Sequence, residues 1–128
     1  MSKQVSDLRD QIVREMLSDV MFEGWTLPCA RAACEEAGIP EDQLSKLFPD
    51  GLCDMVAHFS DMMDRAMLKE LRGVKIEDLR IRDRIQAAAE ARFRVMMPYK
   101  DAVRLALAYW SVPPRGLRAS RVVWRTAD

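Results

Sequence analysis

The sequence holds one histidine, three cysteines and five glycines, and each scarcity excludes something. With only His58 available, histidine-based acid–base chemistry has a single candidate and no second. The glycines never cluster, so there is no Gly-rich phosphate loop, and no nucleophile elbow occurs either. Cys29, Cys34 and Cys53 are odd in number and fit no zinc spacing, so they read as reduced, small apolar side chains. No apolar run approaches the ~20 residues of a membrane-spanning helix. The opening MSKQVSDLRD is charged throughout, so no secretory leader is expected and the cytoplasm is the expected compartment. Alternating β-branched residues are also lacking, which argues against strands. These shortages point away from an enzyme, and no metal or cofactor is expected.

What is present is globular in kind: 49% hydrophobic and 31% charged residues in a chain of 128, enough for one domain. Net charge is zero but unevenly spread: residues 1–50 carry 5 basic and 10 acidic side chains, residues 51–128 carry 15 and 10. The acidic first part is poorly suited to gripping DNA phosphates, which are held by Lys and Arg. The basic second part suits anionic lipid headgroups or an acidic partner.

Between the sparse Gly and Pro punctuation, the residues are good helix formers. A first helix is expected from an N-cap at Ser6 to Gly24, with Leu8, Ile12, Val13, Met16, Leu17 and Val20 as its apolar stripe. Thr26 should cap a second, running through Cys29–Ala37 to Gly38. Pro40 should open a short third, carrying Leu44, Leu47 and Phe48. After the turn Pro49-Asp50-Gly51, long helices are expected at about 52–71 and 76–97, then a shorter one at about 100–110. A further helix is expected to begin in 115–128, with Arg115, Arg118, Arg121 and Arg125 in one row, as in an interfacial helix or a solvated face. The proportions suggest a helix-turn-helix head, 1–50, on a helical body, 51–128, packed as one unit.

Several features have an ordinary and a functional reading. The third helix offers Glu41, Asp42, Gln43, Ser45 and Lys46, poor chemistry for a polyanion, so a packing role is expected and DNA is not. Met55, Met62, Met63 and Met67 share one helix; such a stripe is core, or lines an adaptable apolar pocket. At ~100° per residue, Arg92 falls near the middle of an apolar arc made by Ile81, Ile85, Ala88, Ala89, Val95 and Met96. It would snorkel, pair with Asp61 or Asp64, or hold a ligand's polar head. His58, with Asp54 and Asp61, is expected to be a solvated surface residue rather than a metal ligand.

The run Gly24-Trp25-Thr26, the turn Leu47-Phe48-Pro49-Asp50-Gly51, His58-Phe59 and above all Arg92-Phe93-Arg94-Val95-Met96-Met97-Pro98-Tyr99 resemble the coenzyme-Q-nine family of ubiquinone-biosynthesis accessory proteins. The stretch Ala102–Trp110 with Val112-Pro113 fits as well, so the resemblance spans about Leu8 to Trp124. It implies a TetR-like all-α fold, a helix-turn-helix head on a helical ligand-binding body, in a homodimer peripheral at the inner membrane. It further implies binding of a lipid or isoprenoid quinone, and assistance to the hydroxylase acting on demethoxyubiquinone. Family members continue beyond the equivalent of residue 128 into a partner-contact segment and a membrane-binding helix. The sequence is therefore expected to be either a fragment or a shortened member, with a partial helical body and the hydroxylase contact surface missing.

The expectation is thus a lipid-binding accessory protein presenting isoprenoid intermediates to a membrane hydroxylase. From helical periodicity its lipid-binding residues would be Met55, Phe59, Met62, Met63, Met67, Met96, Met97 and Tyr109. Two alternatives are a TetR-type transcriptional regulator and a structural dimerisation module whose methionines are core.

Overall fold

The structure, a computed structural model, describes residues 3–73 and 79–112. They form six α-helices, with no strand among the described residues. The expected helix over 115–128 lies outside the described residues.

Helix α1 (Lys3–Glu23) buries Ile12, Val13, Met16, Leu17 and Val20 of the stripe read from its periodicity and leaves Leu8 half-buried. It begins ahead of Ser6, which is a half-buried residue inside the helix and not its cap. The reason is that residues 3–5 have adequate helix propensity and nothing to break them. Helix α2 (Leu27–Ala37) starts as expected: the Thr26 hydroxyl accepts the Cys29 N–H at 3.3 Å, and Pro28 occupies the first turn. Its end is a Schellman motif. Gly38 sits at φ 69°, its N–H reaches the Glu35 carbonyl, and the Ile39 N–H reaches Cys34 at 2.9 Å.

The third helix of the head is short. A 3₁₀ turn, Glu41–Gln43, runs into α3 (Leu44–Leu47), which with Phe48 seals the head against α1. The turn that follows is closed by the Asp54 carboxylate, which accepts the Asp50 N–H at 2.7 Å. Helix α4 (Leu52–Arg72) runs through the centre and buries Met55, Val56, Ala57, His58, Phe59 and Met63. Helix α5 (Ile81–Met96) packs on α4 but fully buries only Ala91. Pro98, in a 3₁₀ turn over Met97–Tyr99, ends α5 and redirects the chain into α6 (Lys100–Trp110). Ala102 and Ala106 of α6 are buried, their small side chains allowing close approach to α1.

One cluster of buried residues joins the head, from α1 through Trp25 to Phe48, to α4 and α6 of the body. Trp25, in the turn after α1, is its hinge-pin. Its ring lies 5.2 Å from that of Phe59, and its Nε1–H donates to the Ala102 carbonyl at 3.2 Å. The three cysteines are free thiols, and Cys29 and Cys34 are part of this core.

Candidate functional site

Burial and position sort the eight expected lipid-binding residues into three groups. Met55, Phe59 and Met63 are packed in the core, at 6% exposure or less. Met62, Met67 and Tyr109 are half-buried. The Tyr109 hydroxyl lies 3.1 Å from the Cys53 thiol, which ties α6 to the first turn of α4. Met96 and Met97, at the end of α5, line an open trough of about 480 Å³. Its remaining apolar surface comes from Ala89 and Phe93 of α5 and from Val103 and Leu107 of α6.

The trough exists because α5 and α6 each carry more apolar surface than their neighbours cover. On α5 the side facing α4 is made of Ala87, Ala88, Ala91 and Val95, which are buried or half-buried. Phe93 lies ~200° round the helix from Ala91, beyond the reach of α4. Phe93 is left 64% exposed, Met97 49% and Leu107 67%. Periodicity on α6, where Val103 and Leu107 stand one turn apart, is the sequence signal for this face.

Three cations line the trough, Arg92, Lys100 and Arg104, and no carboxylate does. Arg92 is exposed, so the apolar arc around it is not a buried face. The arc is wider than the strip α4 covers, and Arg92 stands on its open side. Asp64, one of its two expected partners, does feel it. Burial raises the Asp64 carboxyl above its ordinary range, and Arg92 partly offsets that rise. Arg104 is held only loosely, 3.8 Å from Asp101.

A second cluster of ionisable side chains corrects the expectation for His58. The ring is 5% exposed, not solvated, and its Nε2 lies 2.6 Å from Oδ1 of Asp10 on α1. A carboxylate can only accept, so Nε2 carries the proton and donates. Arg65 closes on the same carboxylate with two bonds, 2.7 and 3.1 Å. The Arg65 guanidinium holds the Asp10 carboxyl below its ordinary range against the opposing effect of burial. Burial pushes the His58 imidazole down, partly offset by Asp10. Phe48 packs its ring against His58 and also carries Arg9, whose guanidinium carbon is 5.0 Å from the ring centre. This cluster fastens α1 to α4. Helical periodicity carries no sign of it, because Asp10 is 48 residues away in sequence. The set Asp54, His58 and Asp61 is not assembled as a metal site: Asp54 serves the Asp50 turn and His58 faces Asp10. No three metal-ligating side chains converge among the described residues.

The exposed third-helix residues of the head include Glu41 and Asp42, and Arg31 of α2 is engaged with Glu41 at 3.1 Å. Among the described residues no helix is long and apolar enough to cross a membrane. Fold and site together define an all-helical protein with an open, cation-lined apolar trough. Set beside known proteins, the chain matches no family model, no curated protein and no solved structure.

Proposed function

We propose that this chain is a lipid-binding accessory protein of ubiquinone biosynthesis, not itself an enzyme. It holds the isoprenoid chain of a quinone intermediate along the α5–α6 trough and presents it to the membrane hydroxylase that acts on demethoxyubiquinone. The observation that carries the reading is the trough itself: Phe93, Met97, Val103 and Leu107 form continuous apolar surface next to flexible Met96. Each methylene removed from water contributes about 0.8 kcal/mol. An isoprenoid tail is therefore held by length and area rather than by polar contacts. Methionine suits this, since its unbranched side chain adapts to an irregular chain. The resemblance of the Arg92–Tyr99 segment to the coenzyme-Q-nine family supplies the pathway, and with it the expected homodimer and peripheral membrane location.

The reading moves the ligand away from Met55, Phe59 and Met63, which already fill the core, and onto Met96 and Met97 with their neighbours. Mass spectrometry of an organic extract of the purified, folded chain tests it. A stoichiometric isoprenoid quinone, lost in the double variant Phe93→Ser with Leu107→Ser, is the expected result. An empty extract from well-folded protein that also fails to take up added isoprenoid quinone would reject it.

A further inference from the structure

We infer that the α5–α6 trough receives the Phe22 corner of a second copy of this chain, head to tail. The contact sets the acidic end of α1 on one copy into the cation-lined trough of the next. It has no two-fold axis, and so differs from the paired homodimer expected above. Because the trough is also the lipid site proposed above, lipid and second copy exclude one another. That competition rests on the lipid-binding reading; the contact itself does not.

The corner has its own unmet apolar surface. Among the described residues no large apolar side chain is more exposed than Phe22, at 91%. It stands in the last turn of α1, and Leu27, across the turn at the start of α2, is exposed as well. Glu15, Asp19 and Phe22 recur at four and three residues, so they share one face of α1. Glu23 follows, and all three acids are exposed. Residues 15–30 hold those three acids and no Lys or Arg. The carbonyl end of α1 adds partial negative charge at the same place.

The trough is the counterpart. Its floor of Phe93, Met97 and Leu107 is rimmed by Arg92, Lys100 and Arg104, with no carboxylate. An aromatic knob in an acidic rim therefore fits an apolar groove in a basic one. The same polarity runs through the chain, since residues 1–50 carry five more acidic than basic side chains and residues 51–128 five more basic than acidic. A two-fold axis through either face would set acid on acid or cation on cation, whereas head-to-tail contact pairs unlike charges. A nucleic acid would satisfy the cations but leave the apolar floor against phosphate and water.

Sedimentation equilibrium of the full chain, stripped of lipid on a hydrophobic resin, tests this from micromolar to millimolar concentration. Association is expected at low salt and should weaken as screening shortens from ~10 Å at about 0.1 M to ~3 Å at about 1 M. Phe22→Ser should raise the dissociation constant about tenfold or more, the effect of losing one buried aromatic side chain. Phe93→Ser with Leu107→Ser should do the same from the other side of the contact, as should Glu15→Lys with Asp19→Lys. All these residues are exposed, so far-UV circular dichroism should not change. The deciding experiment mixes the Phe22→Ser chain, whose trough is intact, with the Phe93→Ser, Leu107→Ser chain, whose corner is intact. Each alone should be monomeric, and the mixture should form a one-to-one pair and stop there. A wild-type chain monomeric throughout the series overturns the inference. So does a mixture that stays monomeric, or association that survives either variant, which would place the contact on another face. Added isoprenoid quinone should dissociate the wild-type chain. Association that quinone leaves untouched keeps the contact and removes the lipid from the trough.

Discussion

The Trp25 indole donates its Nε1–H to the Ala102 carbonyl across 77 residues of sequence, joining the head to α6. Ala102 is fully buried, and Trp25 also packs on Phe59, so one side chain fixes the position of α6 relative to α1 and α4. The trough depends on that placement, because half of it belongs to α6. Trp25→Phe keeps most of the packing and loses the hydrogen bond, and should cost about 1 kcal/mol. Trp25→Ala should cost about 3–5 kcal/mol. Urea unfolding followed by circular dichroism measures both. Equal costs for the two variants would show that the hydrogen bond, not the ring, does the holding.

The methionine and aromatic residues of α4 and α5 should separate by phenotype. Phe59→Ala should destabilise by about 3–5 kcal/mol and Met55→Ala by about 2–5 kcal/mol, because both are buried. Met97→Ser and Phe93→Ser should leave stability within about 0.5 kcal/mol, as exposed positions do, and weaken lipid retention instead. Denaturation midpoints and extracted lipid, measured on the same preparations, decide the sorting.

Stability should fall on mild acidification, and His58 should be the cause. Its folded-state affinity for a proton is lowered from an ordinary pKa of about 6.5. As pH drops below about 6.5 the unfolded chain therefore takes up a proton before the folded one does, and unfolding becomes easier. Above that range the contribution of His58 is complete and adds no further slope. His58 is the only histidine, so the decline between about pH 6.5 and 5 is assignable to it. Asp10, also lowered, adds a second loss as pH falls through and below the ordinary carboxylate range. Asp64, which is raised, acts with the opposite sign as carboxylates titrate, so the window above pH 5 is the diagnostic one. Urea midpoints between about pH 5 and 8 should trace this curve, and His58→Leu should remove its upper limb.

Asp10→Ala should leave the buried His58 N–H without an acceptor, at a cost of about 1–3 kcal/mol. Arg65→Ala should cost much less, since Arg65 is half-exposed and water replaces its bonds. A double-mutant cycle on the two residues apportions the cluster.

Gly38→Ala should cost about 1–2 kcal/mol, the penalty of placing a Cβ at φ 69°. Nothing lies within 4 Å of the added carbon, so the loss is one of backbone conformation alone. Gly38→Asn, which tolerates the left-handed region better, should recover part of it.

The sequence by itself determined the all-helical class and most helix ends, because these are local properties. The Leu8–Val20 stripe of α1, the Thr26 cap, the Gly38 stop and the Pro98 break act within a few residues of where they stand. The limits of α6, Lys100–Trp110, were legible for the same reason. Only the tertiary structure decided which apolar surface is covered. Met55 and Phe59 have the same helical pattern whether they line a pocket or fill a core, and the answer came from Trp25 and α1 closing over them. His58 is buried because Asp10, from a distant turn of α1, supplies its partner. Arg92 is exposed because α4 covers only the narrow alanine strip of α5 and leaves the rest of the arc open. Helical periodicity states which side chains share a face, but burial belongs to the neighbour across from it, and that neighbour is chosen by the fold.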